Sequence, residues 1–296
     1  MTGQKVYSHW IASSGSEGGN AAPDLIFPYW SFTKTVIAIC ALKLVEDGQL
    51  DLDARFQGQD YTLRHLLAHT SGLPDYGQFK EYGLAVSAGD PPWSREKLLD
   101  VTMSKGHLFE PEQGWSYSNI GYMFIRELIE EITGKPIGDV ITDIVSRPLG
   151  LDSVEFAHTR QDFARVYWDD AEKYDPRWVY HGCLLGNAKD ATHLLHALFT
   201  SDVLLSDTRD QMFAKRILGG PIEGRPWQEC GYALGLMSGS ISGLGNAVGH
   251  SGAGPLCVNA VYHFPDIADP VTVASFTDGT DEGVAEHAAA KLAREQ

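Results

Sequence analysis

Ser31 and Lys34 are residues whose types and spacing could do chemistry together. They lie three positions apart in Ser31-Phe32-Thr33-Lys34, and residues at i and i+3 share one face of a helix. The helix that follows is apolar, and burial in such surroundings lowers the pKa of a lysine. A neutral amine can accept the serine proton near pH 7, and the positive end of the helix favours the alkoxide. The pair therefore predicts a serine nucleophile with lysine as its general base.

The same S-x-x-K spacing occurs at Ser94 and Lys97, so the spacing alone does not select a nucleophile. This second copy follows two prolines and begins a charged, solvent-facing helix, in which a lysine side chain stays hydrated. Serine is a common N-cap residue of such helices. We therefore predict that Ser94 is an N-cap and that Ser31 is the reactive serine.

Tyr117-Ser118-Asn119 lies in a glycine-bounded loop just before a helical pattern that starts at Ile120. A phenol has a pKa of about 10, and a cationic lysine beside it can lower that value enough for the tyrosine to relay a proton. The amide of Asn119 can orient both the lysine and a substrate carbonyl. In the structural alternative, Tyr117 belongs to the core and Asn119 caps the helix.

His250-Ser251-Gly252 follows a strand pattern and precedes Ala253. Small residues here would let a substrate lie along the strand edge. The backbone N–H of Ala253 could then pair with that of Ser31 to form an oxyanion hole. The structural alternative is a glycine-rich hairpin end with a surface histidine.

Ser251 offers a second candidate nucleophile, because residues 249–253 differ from the G-x-S-x-G motif of α/β-hydrolases only in the last position. That motif needs a helix directly after the serine. Here a proline and a strand pattern follow, so we prefer Ser31.

Strand patterns occur at both ends of the chain and helical patterns between them. Residues 6–12 and 25–30 are predicted to form a hairpin, residues 231–278 a meander of strands, and residues 282–294 a terminal helix. The predicted fold class is α+β, with an antiparallel sheet built from both chain ends, flanking helices and a large helical insertion lobe. We place the sheet lobe at 1–57 and 228–296, and the helical lobe at 58–227.

The chain has 296 residues, with 23 basic against 39 acidic side chains and a net charge of −16. This balance argues against nucleic acid or an anionic membrane surface as a partner. No apolar run approaches the roughly 20 residues that span a bilayer, and the N-terminus lacks a signal-peptide pattern. As written the chain is expected in the cytoplasm, or in the periplasm or outside the cell if a leader has been removed. The four cysteines form no C-x-x-C pair, and no metal site is predicted.

Taken in order, the motifs S-x-x-K, Y-x-N and H-x-G resemble those of the serine β-lactamase and penicillin-binding-protein superfamily. Within it the chain is similar to the branch of class C β-lactamases, D,D-peptidases and esterases. The likeness covers most of the chain and extends to four further segments: LRHLLAHTSGLP from Leu63, WSYSNIGYMFIRELIEEITGKP from Trp115, LLGNAKDATHLLHAL around Asp190, and GYALGLM from Gly231.

The resemblance implies a two-lobed fold with the active site in the cleft between the lobes. It implies that a small ester, amide or D-amino-acid peptide acylates the serine and is then hydrolysed, without a metal or organic cofactor. The partner would be a small-molecule or peptide substrate. By motif position the implied roles are nucleophile for Ser31, general base for Lys34, acid/base relay for Tyr117, positioning amide for Asn119, and substrate and oxyanion edge for His250, Ser251, Gly252 and Ala253.

His250 departs from the family pattern, because β-lactamases of this branch usually have K-T-G at the third motif. Histidine is neutral over much of the physiological pH range, so it suits a substrate carboxylate less well than lysine does. This favours an esterase, an amidase or a peptidase, the last of the D-alanyl-D-alanine carboxypeptidase type. A β-lactamase proper remains an alternative, as does a non-catalytic binding protein of the same fold.

Overall fold

The strands of the protein form two antiparallel sheets. The structure is a computed structural model and describes residues 4–296. Its strands are β1 (Val6–Ala12), β2 (Glu17–Gly19), β3 (Phe27–Pro28), β4 (Glu155–Phe156), β5 (Leu184–Gly186), β6 (Arg216–Gly219), β7 (Trp227–Tyr232), β8 (Met237–Ile241), β9 (Gly245–Ala253), β10 (Cys257–Phe264) and β11 (Val271–Asp278). The main sheet has the order β2-β1-β11-β10-β9-β8-β7-β6, and the small sheet has the order β3-β5-β4. The predicted α+β class, with a sheet built from both chain ends, is confirmed.

Helices cover both faces of the main sheet. They are α1 (Thr33–Glu46), α2 (Leu63–Leu67), α3 (Lys80–Ala88), α4 (Arg95–Thr102), α5 (Asn119–Thr133), α6 (Ile137–Ile141), α7 (Arg147–Leu149), α8 (Arg160–Phe163), α9 (Ala188–Thr200), α10 (Ser206–Phe213) and α11 (Glu282–Arg294), with a π-helical turn at Thr142–Ser146 between α6 and α7. No helix in the part of the chain described here is long and apolar enough to cross a membrane.

The side chains of β10 point alternately to the two faces of the main sheet, and helices cover both faces. Ala260 and Tyr262 pack in the same cluster as the alanines of α11, whereas Val261 packs in the cluster that holds α1 and α9. Successive side chains of a strand point to opposite faces. Every residue of β10 is buried, which explains why apolar residues occur on both of its faces rather than at alternate positions; Asn259 and His263 are its buried polar residues.

The predicted hairpin between residues 6–12 and 25–30 is wrong. β1 pairs with β2 on one side and with β11 on the other, and the next strand is only Phe27–Pro28, which pairs with β5 in the small sheet. Pairing between strands that are neighbours in the sequence was the simplest expectation. Residues 17–19 instead form the strand that follows the turn and pairs with β1. Residues 27–28 belong to the small sheet and lie shortly before α1.

The predicted terminal helix and α1 lie where the patterns indicate, and Ser94 is the N-cap of α4, accepting the backbone N–H of Lys97. The patterns did not single out α3 or α10, which bury only one or two side chains each and so carry little apolar periodicity. β6 lies within the segment 58–227 yet belongs to the main sheet. The division into two lobes stays a prediction.

Candidate active site

Ser31 lies in a single 3-10 turn, Trp30–Phe32, that leads directly into α1. Every residue from Thr33 to Leu42 is buried, and Lys34 itself is completely buried in the first turn of α1. The amine Nζ of Lys34 lies 3.1 Å from Oγ of Ser31. Helical spacing, as expected, brings the amine to the hydroxyl.

Trp30 has a positive φ of 43°, a backbone conformation that costs energy for a residue with a side chain. The end of β9 packs against this turn. A Cβ on Gly252 would lie 2.9 Å from Cβ of Trp30 and from the carbonyl oxygen of Tyr29, and one on Gly254 would lie 2.4 Å from the indole ring. These two glycines therefore allow the strand and the serine turn to approach closely.

The surroundings of Lys34 favour its neutral form. Burial lowers the pKa of this lysine from its ordinary 10.5 to about 7, although the charge of Asp75 acts in the opposite direction. Its Nζ lies 3.0 Å from Nε2 of His181 and 5.0 Å from the centre of the Tyr117 ring. An amine with a pKa near neutrality can accept a proton and later return it.

The phenol of Tyr117 donates a hydrogen bond of 2.8 Å to Oγ of Ser31, so the three predicted groups meet at the serine oxygen. The expected lowering of the tyrosine pKa does not occur. Burial raises it well above 10, the charges of Tyr232 and Asp75 add to the rise, and the hydrogen bond to Ser31 offsets it only in part. Because the pKa of Lys34 is itself about 7, the lysine is only partly protonated near neutral pH, and the positive charge that was to stabilise a phenolate is weak. Tyr117 is therefore a neutral donor.

Asn119 is the first residue of α5, and Ser118 rather than Asn119 is the N-cap of that helix. The backbone N–H of Asn119 donates to Oδ1 of Asp75 at 2.8 Å. Its side chain lines the cavities on both sides of Ser31. Burial raises the pKa of Asp75, and its hydrogen bonds to Asn119 and the charge of Lys34 counteract that effect.

His250 is buried rather than at the surface, and its Nε2 lies 3.0 Å from the phenolic oxygen of Tyr232. Burial and the positive charge of Lys34 lower its pKa to about 3, so the imidazole is neutral. The ring lies 6.3 Å from that of Tyr117, centre to centre. The third motif therefore places an uncharged imidazole near Tyr117.

Ser251 and Ala253, which follow His250 in the sequence, have different contacts in the cleft. Ser251 lines the larger cavity, but its hydroxyl donates to Glu286 and lies 2.7 Å from the Tyr262 phenol. Ser251 also lies inside β9, which is followed by β10 and not by a helix, so the nucleophile elbow considered above is wrong. Ala253 lines both cavities with Ser31.

Two cavities meet at Ser31. The larger encloses about 660 Å³, and the smaller about 230 Å³. The larger extends over the edge of the main sheet, and its lining includes Trp115, Leu218, Ile222, Met237, Arg225 and Glu282. A substrate bound at Ser31 thus has space on either side of its reacting carbon.

Three site residues were not singled out from the sequence. His181 and Asp75 act on Lys34 as described. The ring of His69 lies 4.3 Å from that of Tyr117, centre to centre and tilted by 41°, and its Nδ1 accepts the backbone N–H of Ser118. The HTSGLP segment that contains His69 was the signal that could have identified it.

Within residues 4–296, no group of three or more His, Cys, Asp or Glu side chains has an arrangement that could hold a metal ion. The four cysteines are free thiols. Cys40, Cys183 and Cys257 are buried, whereas Cys230 is half-buried and lines the larger cavity.

Known proteins share both sequence and fold with this chain. Penicillin-binding protein 4* of Bacillus subtilis (strain 168) is 25% identical over an alignment of 266 residues, and the match covers 78% of this chain and 56% of that protein. Esterase EstB of Burkholderia gladioli is 30% identical over an alignment of 171 residues, and the match covers 49% of this chain and 42% of the esterase. The chain thus spans about half the length of these curated relatives.

The crystal structure of D-amino acid amidase from Ochrobactrum anthropi SV3 superimposes with a TM-score of 0.80 at 23% identity, covering 99% of this chain and 96% of the amidase. This likeness confirms the fold expected from the motifs. The family model described as Beta-lactamase matches residues 2–296. Because that match takes in nearly the whole sequence, the chain belongs to the Beta-lactamase family, a family of hydrolases.

Proposed function

We propose that this protein is a serine hydrolase that forms an acyl-enzyme on Ser31 and cleaves a small ester, amide or D-amino-acid peptide. One observation carries the proposal: Oγ of Ser31 lies within hydrogen-bond distance of both Nζ of Lys34 and the phenol of Tyr117. A nucleophile beside its base, with a third group in contact, is the arrangement that covalent catalysis requires.

Acylation begins when neutral Lys34 takes the proton of the Ser31 hydroxyl. The Oγ–C bond to the substrate carbonyl forms, and the carbonyl electron pair moves to its oxygen. When that pair returns, the bond to the leaving group breaks. Tyr117 gives its proton to the leaving oxygen or nitrogen, and Lys34 returns a proton to the phenol. The raised pKa of Tyr117 suits this role, because the phenol is protonated when the leaving group departs.

The negative oxygen formed during attack needs hydrogen-bond donors held in advance. We assign this role to the backbone N–H groups of Ser31 and Ala253. Ser31 precedes α1 by one 3-10 turn, and Ala253 ends β9 beside the same cavities. The close packing at Gly252 supports the assignment, because it brings the two backbone segments together.

Hydrolysis of the acyl-enzyme reverses the proton transfers. Lys34 is neutral again after the leaving group departs, so it can accept a proton from water, directly or through Tyr117. The resulting hydroxide attacks the ester carbon, the C–Oγ bond breaks, and Lys34 returns its proton to Ser31. Asn119 lines both cavities and is assigned to orient the substrate carbonyl.

The neutral state of His250 favours ester and amide substrates over β-lactam antibiotics, whose carboxylate would gain little from an uncharged imidazole. The 30% identity to an esterase supports the same preference. The third motif thus supports the proposed substrate class, and the first two motifs support the proposed reaction type.

Hydrolysis of a panel of 4-nitrophenyl esters, D-amino-acid amides and nitrocefin, combined with intact-protein mass spectrometry, tests the proposal. We expect turnover of esters, an acyl adduct that maps to Ser31, and loss of both in Ser31→Ala. Ser94→Ala, which removes the serine of the second S-x-x-K copy, is the matched control and should keep full activity. Turnover that survives in Ser31→Ala rules the mechanism out. Ligand-induced melting shifts without any adduct would instead indicate a binding protein.

A further inference from the structure

His69 holds the loop segment that carries Tyr117 at two points. Its backbone carbonyl oxygen accepts the N–H of Ser116 at 3.0 Å, and its side-chain Nδ1 accepts the N–H of Ser118 at 3.1 Å. The residues before and after Tyr117 are thus both hydrogen-bonded to one residue. Because 49 positions separate His69 from Ser118, this is a tertiary contact and not part of a local turn.

The imidazole of His69 also packs among the aromatic rings around the proposed acid. Its centre lies 4.3 Å from that of the Tyr117 ring, 4.7 Å from that of Tyr232 and 5.2 Å from that of Tyr122. His69 is only 1% exposed, so water does not compete for its hydrogen bonds. The position of the Tyr117 side chain is therefore restricted by the backbone contacts and by the ring contact together.

The contact at Nδ1 needs the neutral form of His69. Burial is the main cause that holds the pKa of His69 well below 6.5, and the charges of Lys34 and His250 act in the same direction. A neutral imidazole carries one N–H, and Nδ1 accepts the N–H of Ser118, so the proton is on Nε2. An imidazolium has two donors and no acceptor, and it would release the N–H of Ser118.

His69 combines two energetically unfavourable features. Its φ of 59° lies in the left-handed region, which residues with a side chain rarely adopt. Its Nε2 is buried and has no hydrogen-bond partner within residues 4–296. Backbone strain of this kind clusters at active sites, and an unsatisfied buried polar group calls for an explanation. Both features occur here at a residue in contact with Tyr117, which points to a role in the reaction.

We propose that His69 is a positioning residue for the protonation of the leaving group, because its two hydrogen bonds hold the Tyr117 phenol beside Ser31. That phenol lies 2.8 Å from Oγ of Ser31, and a displacement of about 1 Å can cost about 10²-fold in rate. His69 lines neither of the two cavities that meet at Ser31, so it acts through Tyr117. The inference rests on the serine mechanism proposed above.

Two variants separate the side-chain hydrogen bond from the packing of the ring. His69→Asn brings an amide oxygen close to the position of Nδ1, and asparagine tolerates a positive φ. This variant keeps the acceptor for Ser118 and loses the ring. His69→Phe keeps a ring and loses the acceptor, so the two variants have opposite defects.

Two esters with the same acyl group provide the readout. Ethyl butanoate releases an alkoxide, which needs the proton of Tyr117, whereas 4-nitrophenyl butanoate releases nitrophenolate, which departs without one. His69→Phe should lower the ratio of kcat/KM for the ethyl ester to that for the nitrophenyl ester by about ten- to a hundredfold. His69→Asn should keep most of the wild-type ratio. In a Tyr117→Phe background, His69→Phe should lower the ratio no further, because the two residues act as a unit.

His65→Phe is the matched control. Nδ1 of His65 also accepts a backbone N–H, that of Thr62 at 3.1 Å, but this contact lies at the start of α2 and does not involve Tyr117. Loss of this capping contact should lower the melting temperature. The ratio of the two esters should stay at the wild-type value.

A loss in His69→Phe that is equal for both esters would show a structural role only and overturn the inference. A further fall of the ratio in the Tyr117→Phe background would do the same. Ester turnover in Ser31→Ala would overturn the serine mechanism instead, so the two failures are distinct. Should His69→Phe fail to fold, ¹⁵N spectra of wild-type His69 at about pH 6 decide the matter. A proton on Nε2 alone is expected, and a proton on Nδ1 contradicts the proposal.

Discussion

The carboxylate of Asp75 accepts the backbone N–H of Asn119 at 2.8 Å, although 44 positions separate the two residues. This contact ties the segment after α2 to the first residue of α5. Among the neighbouring charges, that of Asp75 has the largest effect on the pKa of Lys34. It raises this pKa, whereas burial lowers it. One buried carboxylate thus positions the helix that carries Asn119 and adjusts the proposed base.

Removal of the charge of Asp75 should therefore shift the pH profile. Lys34 acts as a base only when neutral, so kcat/KM of the wild type should rise with pH through about 7. Asp75→Asn keeps an oxygen for the N–H of Asn119 but removes the negative charge that holds the proton on Lys34. The rising limb should move to lower pH. Asp60→Asn, at an exposed pair with Arg55, is the control; a shift to higher pH would contradict the assignment.

Lys34→Met should abolish turnover and increase stability, because a buried amine is replaced by an apolar side chain of similar length. The folded pKa of about 7 lies below the ordinary 10.5, so the unfolded chain binds more protons between these values. Wild-type stability should then rise with pH across that window. The stability gain of the variant, measured by urea unfolding, should be larger at pH 6.5 than at pH 10. An equal gain at both pH values would mean that Lys34 is not neutral when buried.

Tyr117→Phe should lower kcat by about 10²–10⁴-fold for amide substrates, which need a protonated leaving group. The loss should be smaller for 4-nitrophenyl esters, because nitrophenolate departs without a proton. The phenylalanine ring keeps the packing against His69, so the melting temperature serves as the control for folding. Equal losses on both substrate types would argue against Tyr117 as the acid.

Arg225→Met should be strongly destabilising. The guanidinium pairs with Glu286, whose side chain is 1% exposed, with Nε 2.7 Å from Oε2. Removal of one partner of a buried pair leaves an uncompensated charge and costs about 3–5 kcal/mol. Chemical denaturation measures the loss.

Arg95→Met is the matched control for that variant. Arg95 pairs with Glu127 at 2.6 Å, but the two side chains are 54% and 33% exposed. An exposed pair contributes only about 0–1 kcal/mol. If the two arginine variants lose the same stability, burial of the Glu286 pair is not the reason for its effect.

The sequence alone was enough to predict the α+β class and the contact of Lys34 with Ser31. Both depend on local rules: alternation of apolar residues marks strands, and i, i+3 spacing places two side chains on one helix face. The second S-x-x-K copy at Ser94 obeys the same rule yet is only a helix cap. The apolar sequence after Ser31 made the difference, because it indicated burial of the lysine.

Only the tertiary structure decided the proton states and the remaining partners in the site. His181 lies 147 positions from Lys34, and no periodicity links them. The pKa of Tyr117 rises because the folded chain removes water from the phenol, whereas spacing suggested a fall. The first strand pairs with the last rather than with its neighbour at 25–30. Local patterns therefore identified which groups could react. How these groups share protons depends on burial and long-range pairing, and both are set by the folding of the whole chain.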